Sequence, residues 1–74
     1  MQKHQILARL MEKKTNCREW SFRHGYKPRT VYQLLDRYAG KSDLPRGRLS
    51  YRILRELSQE IGEEIVPGIL ATAA

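Results

Sequence analysis

Cys17-Arg-Glu-Trp-Ser-Phe-Arg-His-Gly-Tyr-Lys-Pro-Arg-Thr-Val-Tyr-Gln-Leu-Leu-Asp36 decides the fold of this 74-residue chain. Gly25 tolerates the left-handed backbone that ends a helix. Pro28 suits a first helical turn, where its missing N–H has no partner to lose. The stretch therefore reads as a helix from Cys17 to about His24, a turn over Gly25-Tyr26-Lys27, and a second helix from Pro28 to about Tyr38. Cys17, Trp20, Ser21 and His24 share one face of the first helix at i, i+3, i+4 and i+7. Val31, Leu34, Leu35 and Tyr38 repeat that spacing on the second, leaving Arg29, Tyr32, Gln33, Asp36 and Arg37 outside. Two short helices joined by three or four residues have helix-turn-helix spacing.

Upstream, residues 3–14 read as an amphipathic helix with Ile6, Leu7, Leu10 and Met11 in one stripe. Asn16 is a good N-cap for the helix that follows, and Glu19 three residues on completes a capping-box pattern. Lys27 falls at an N-cap position but cannot accept a hydrogen bond, which frees it for another use such as holding a phosphate. Tyr26 is expected to tuck its ring beneath the turn.

Downstream, Ala39 to Arg48 is a loop punctuated by Gly40, Pro45 and Gly47. A fourth helix runs to about Ile61 with Leu49, Ile53, Leu54, Leu57 and Ile61 inward, and Gly62 ends it. Glu63-Glu64-Ile65-Val66 reads as one further helical turn stopped by Pro67. The expectation is an all-α, single-domain chain of five helices over residues 1–70, the last helix short, with a frayed tail at 71–74.

Charge is unevenly spread. Residues 1–55 hold all fourteen Lys and Arg and four acids, a net +10, whereas residues 56–74 hold four acids and no base. That asymmetry favours a polyanionic partner for the basic part. One cysteine excludes an internal disulfide, and Cys17, His4 and His24 lack the spacing of a metal site, so no cofactor or metal is expected. No paired carboxylates, nucleophile with a base, or phosphate loop is present, so the chain does not read as an enzyme. No signal peptide or membrane span is read, and the lone cysteine suits a reducing cytoplasm.

The 20-residue stretch resembles the λ-repressor-like DNA-binding domains. With Gly25 as the ninth position of that family's motif, Trp20 is fourth, Ser21 fifth, Tyr26 tenth, Val31 fifteenth and Leu34 eighteenth, and all six residues fit. His24 departs from the aliphatic residue usual at the eighth. The run from Arg18 to Tyr32, then Tyr38-Ala-Gly-Lys41, Leu44-Pro-Arg-Gly47 and Glu64-Ile-Val-Pro67 is similar to small regulators of Mu-like phages, of the Ner and BcepMu types. This resemblance implies a phage or prophage transcriptional regulator in a bacterial cytoplasm; it does not itself distinguish repression from activation, and repression is the expectation.

In such domains the second helix of the motif enters the major groove and the first lies across the backbone. Carried to this chain, that implies base reading by Arg29, Tyr32 and Gln33. Backbone contacts fall to Arg18, Lys27, Thr30, Arg37, Lys41, Arg46 and Arg48. Asp36 repels phosphate, and it is expected to bond Gln33 or Tyr32. The apolar tail offers two uses. Ile65, Val66, Ile69 and Leu70 either pair two copies as a homodimer or close the core of a monomer, the second being favoured in so small a chain. Two alternatives compete with sequence-specific binding: a helical protein-interaction module, and a non-specific architectural nucleic-acid binder.

Overall fold

Four helices make up the regular structure of residues 1–71, the part of the chain that the computed structural model describes: α1 (Lys3–Glu12), α2 (Cys17–Arg23), α3 (Pro28–Tyr38) and α4 (Arg48–Ile61). No strand occurs among these residues, and the all-α expectation holds. The expected frayed tail lies, beyond Ala71, outside the described residues.

Helix boundaries follow local chemistry. α1 stops two residues short of the expected end at residue 14, because Lys14 takes a left-handed conformation (φ 59°) and Thr15 returns its N–H to the Leu10 carbonyl at 3.1 Å. The Asn16 side chain accepts the Glu19 N–H at 2.8 Å. Glu19 makes no reciprocal bond, so the cap is single rather than the expected box. Gly25, at φ 79°, reverses the chain, and the Tyr26 N–H reaches the Ser21 carbonyl at 2.8 Å. Pro28 then opens α3 behind an N-cap, Lys27, whose side chain makes no capping bond.

α2 packs on α3 across this turn, and both α1 and α3 pack on α4. The core joins Ile6 and Leu10 to Cys17 and Trp20, to Val31, Leu34 and Leu35, and to Ile53, Leu54, Leu57 and Ile61. Ser21 is fully buried and donates its hydroxyl to the Cys17 carbonyl at 2.6 Å, so this small polar group needs no partner from α3. Two expected core residues lie outside. Met11 is 71% exposed, on the last turn of α1 where no neighbouring element covers it. Leu49 is 55% exposed, because the buried face of α4 begins one turn later, at Ile53.

The expected fifth helix does not form. Gly62 takes the left-handed conformation (φ 76°), and Pro67 disfavours a helical Val66. The tail instead folds back in open turns. The Ile65 N–H donates to the Ser58 hydroxyl at 3.1 Å, and that hydroxyl donates to the Leu54 carbonyl at 2.7 Å. The Leu70 N–H reaches the Glu64 carboxylate at 2.9 Å. Ile65, Val66 and Ile69 are thereby fully buried in their own chain. They cannot pair two folded copies, and only the half-buried Leu70 of that expected dimer surface is left. The Met1 amine donates to the Ile65 carbonyl at 3.1 Å, and the Met1 carbonyl accepts the Gly40 N–H at 2.7 Å, which ties the tail to the end of α3.

Ser58→Ala leaves the buried Ile65 N–H without an acceptor and is expected to destabilise the fold by about 1–3 kcal/mol in urea unfolding. A midpoint equal to the parent's would remove this role. The bond from the Leu70 N–H, with that from Gly68, holds the Glu64 carboxyl below the ordinary glutamate range. A carboxyl lowered on folding stabilises the protein above its unfolded pKa, and the gain is lost as pH falls through the folded value. Glu64→Gln is therefore expected to flatten the acid limb of the stability–pH profile. Superimposable acid limbs would show that Glu64 contributes nothing there.

Candidate nucleic-acid interface

α3 buries Val31, Leu34 and Leu35 and turns the opposite face to solvent. Arg29, Gln33 and Arg37, at i, i+4 and i+8, run along its exposed crest. Tyr32 flanks the crest on the α1 side, where Lys3 Nζ stands 5.6 Å from its ring centroid. Thr30 flanks it on the α4 side and is half-buried in a groove with Lys27, Leu49 and Arg52. A second groove, past the C-terminal end of α3, gathers Arg37, Lys41 and Arg46 around Tyr38 and Leu44, with Asp43 on its wall. The Arg37 guanidinium stands 5.6 Å from the Tyr38 ring centroid.

The remaining expected site residues are exposed but gathered in neither groove. Arg18 lies on α2 with its guanidinium 5.6 Å from the ring centroid of Phe22, itself an exposed aromatic. Arg48 is the first residue of α4. The structure thus brings together Arg29, Gln33 and Arg37 as one row, Lys27 with Thr30, and Arg37 with Lys41 and Arg46.

The ion pairs decide which charges are available. Among the described residues, Lys3 pairs with Asp36, Arg9 with Glu63, and Arg52 with Glu56, while His24 Nδ1 lies 3.8 Å from Glu56 Oε1. Arg18, Lys27, Arg29, Arg37, Lys41, Arg46 and Arg48 take part in none of them. Asp36 was expected to bond Gln33 or Tyr32; it pairs instead with Lys3 Nζ at 2.5 Å. The first residue of α1 lies within reach of that carboxylate, and a full positive charge outcompetes a neutral donor. No local pattern signals this pairing, because the two residues are 33 positions apart. Its effect is to cancel the one negative charge on α3.

At the turn, His24 stacks on Trp20 with ring centroids 4.4 Å apart, and it sits at the rim of the core rather than inside it. Tyr26 is half-buried, as expected, and donates its hydroxyl to Glu56 at 2.5 Å. Burial, and then this bond, raise its pKa. Burial also pushes the Cys17 thiol up, which keeps it protonated and unreactive. No group of three His, Cys, Asp or Glu residues among those described is placed to hold a metal ion. No described helix is long and apolar enough to cross a membrane. What the face offers is a row of long hydrogen-bond donors flanked by unpaired cations, an arrangement suited to acceptors carried on a polyanion.

The chain matches no protein-family model, and no curated protein and no solved structure matches it.

Both partners of the Lys3–Asp36 pair are substantially exposed, at 40% and 61% of their side chains. A double-mutant cycle with Lys3→Ala and Asp36→Ala is therefore expected to give a coupling below about 1 kcal/mol in urea unfolding. A coupling well above that would make the pair a structural tie rather than a charge-cancelling one.

Proposed function

We propose that this chain is a sequence-specific double-stranded DNA-binding protein with a λ-repressor-like helix-turn-helix, and that it regulates transcription in a phage or prophage. α2, its turn and α3 are the motif. The observation that carries the reading is electrostatic: five cations, Lys27, Arg29, Arg37, Lys41 and Arg46, lie on α3 or in the grooves at its two ends with no acidic partner, while the one acid of that helix is neutralised by Lys3. A folded monomer gains little from leaving so many cations unpaired, whereas a polyanion rewards each of them by releasing its own counterions.

In this mechanism α3 enters the major groove. Arg29 donates in bidentate fashion to guanine O6 and N7, Gln33 pairs with adenine N6 and N7, and Tyr32 meets a thymine methyl or a phosphate. Arg37, Lys41 and Arg46 follow the backbone beyond the C-terminal end of α3, Lys27 and Thr30 hold it near the N-terminal end, and Arg18 and Arg48 extend those contacts onto α2 and α4. The tail that fills the place of a fifth helix is buried in its own chain, which favours binding as a monomer. The likeness to Ner-type regulators adds a regulatory role in a bacterial cytoplasm, with repression as the expectation. A protein-interaction module needs no such gathering of unpaired cations on and at the ends of one helix. A non-specific architectural binder needs no Arg–Gln row along the crest.

Affinity for duplex DNA is expected to fall on the order of 10³-fold between 50 and 200 mM salt if about six phosphates are neutralised. Arg29→Ala should narrow the gap between preferred and random duplexes, removing about 1–3 kcal/mol of discrimination, whereas Arg46→Ala should weaken all sequences alike. Selection from a random DNA pool followed by salt titration measures both. Absence of binding to any duplex at low salt would overturn the proposal, and equal losses on all sequences for Arg29→Ala would remove its base-reading role.

A further inference from the structure

The groove between the turn and α4 holds, beside Lys27 and Thr30, side chains that the contacts above leave unused. Tyr26 and Lys27 of the turn, Thr30 of α3, and Leu49, Arg52 and Ile53 of α4 line it. The Arg52 side chain is 68% exposed, yet it is held from behind. Its Nε lies 3.6 Å from Glu56 Oε2, and its guanidinium stands 5.9 Å from the Tyr26 ring centroid. Tyr26 is itself fixed by its hydroxyl on the other Glu56 oxygen. Arg52 also hydrogen-bonds to the Tyr26 hydroxyl, which occupies part of its five-donor fork, and Lys27 enters none of the ion pairs of the described chain. An ion pair this exposed adds little stability. Beside these two cations lies Leu49, a leucine more than half exposed on an otherwise well-sorted helix.

We propose that this groove grips one sugar–phosphate unit of the duplex backbone. The phosphodiester oxygens bind the Arg52 guanidinium, the Lys27 ammonium and the Thr30 hydroxyl, and the apolar face of the deoxyribose rests on Leu49. The inference rests on the DNA-binding reading and extends the contact along α4 to Arg52.

Charge fits. Lys27 and Arg52 against Glu56 leave one net positive charge, which matches the single negative charge of a phosphodiester. Geometry fits as well. The planar guanidinium presents a fork of donors to phosphate oxygens, and Glu56 and the Tyr26 ring bias it toward the groove. Leu49 supplies an exposed apolar surface that suits a sugar and has no use for a free, fully hydrated anion.

Salt titration of duplex binding by the intact chain tests this, with Arg46→Ala as the reference for a backbone contact. Arg52→Gln is expected to lower the slope of log K against log salt by about 0.9 and to weaken binding roughly tenfold at fixed low salt, on every sequence. Leu49→Ala should weaken binding a few-fold with the slope unchanged. Both side chains are exposed, so both variants should keep the parent's circular dichroism and melting curve.

If the parent binds duplexes and Arg46→Ala lowers the slope while Arg52→Gln leaves it unchanged, the groove proposal falls and the DNA reading stands. If the parent binds no duplex, both fall. Inorganic phosphate at matched ionic strength should leave the amide resonances of Lys27, Thr30 and Arg52 in place. Saturable shifts at millimolar phosphate would make the groove a free-anion site and overturn the proposal.

Discussion

Closure of the α2–α3 corner over Trp20 is the interaction on which the other features depend. The indole is fully buried, with His24 stacked against it and Tyr26 tilted 6.0 Å away. Its Nε1 has no hydrogen-bond partner, so the ring alone supplies its value, enough to offset the roughly 1–3 kcal/mol that an unpaired buried donor costs. Because Ser21 satisfies its own hydroxyl within α2, no polar demand is placed on the helix that crosses it. With the corner closed, α3 has one orientation: Val31, Leu34 and Leu35 inward, and therefore Arg29, Gln33 and Arg37 outward. The donor row is a consequence of the core.

The same dependence explains what could be read from the sequence. The corner was legible because every local signal agrees there. Asn16 caps, Gly25 reverses, Pro28 restarts, and the apolar spacing on both helices points to one interior. The tail was not legible. Its path is set by a serine in the middle of α4, whose hydroxyl bonds backward to Leu54 and forward to Ile65, and nothing in the run from Glu63 to Val66 signals that contact. Leu49 failed for a related reason. Periodicity assigns it to the inner face of α4, but periodicity cannot say where along a helix the neighbouring elements stop covering it. Partners distant in sequence, such as Lys3 with Asp36, lie beyond any local pattern.

Among the candidate site residues, the outward set on α3 was legible from helical geometry alone, and the grooves were not. Arg37, Lys41 and Arg46 meet because the loop after α3 returns past that helix's end, with Pro45 buried within it. Arg52 was read only as an outward-facing residue of the fourth helix. Its partners Tyr26 and Glu56 are 26 and 4 positions away, and only the first of those distances requires the fold.

Glu56 then links stability to the face. One carboxylate oxygen accepts the Tyr26 hydroxyl and pins the turn to α4, while the other faces the Arg52 Nε. Replacing the acid with an apolar residue would release Tyr26 and Arg52 together, so the turn's position and the direction of a groove cation are not independently adjustable. At the far side of α3 the Lys3–Asp36 pair neutralises the charge that would most oppose a polyanion, while α1 itself packs on α4. Asp36 and Glu56 are therefore engaged by partners, and the cations on α3 and in its grooves other than Arg52 are not. In a chain with so small a core, that division lets a strongly basic face exist without the turn or the first helix depending on the charges exposed there.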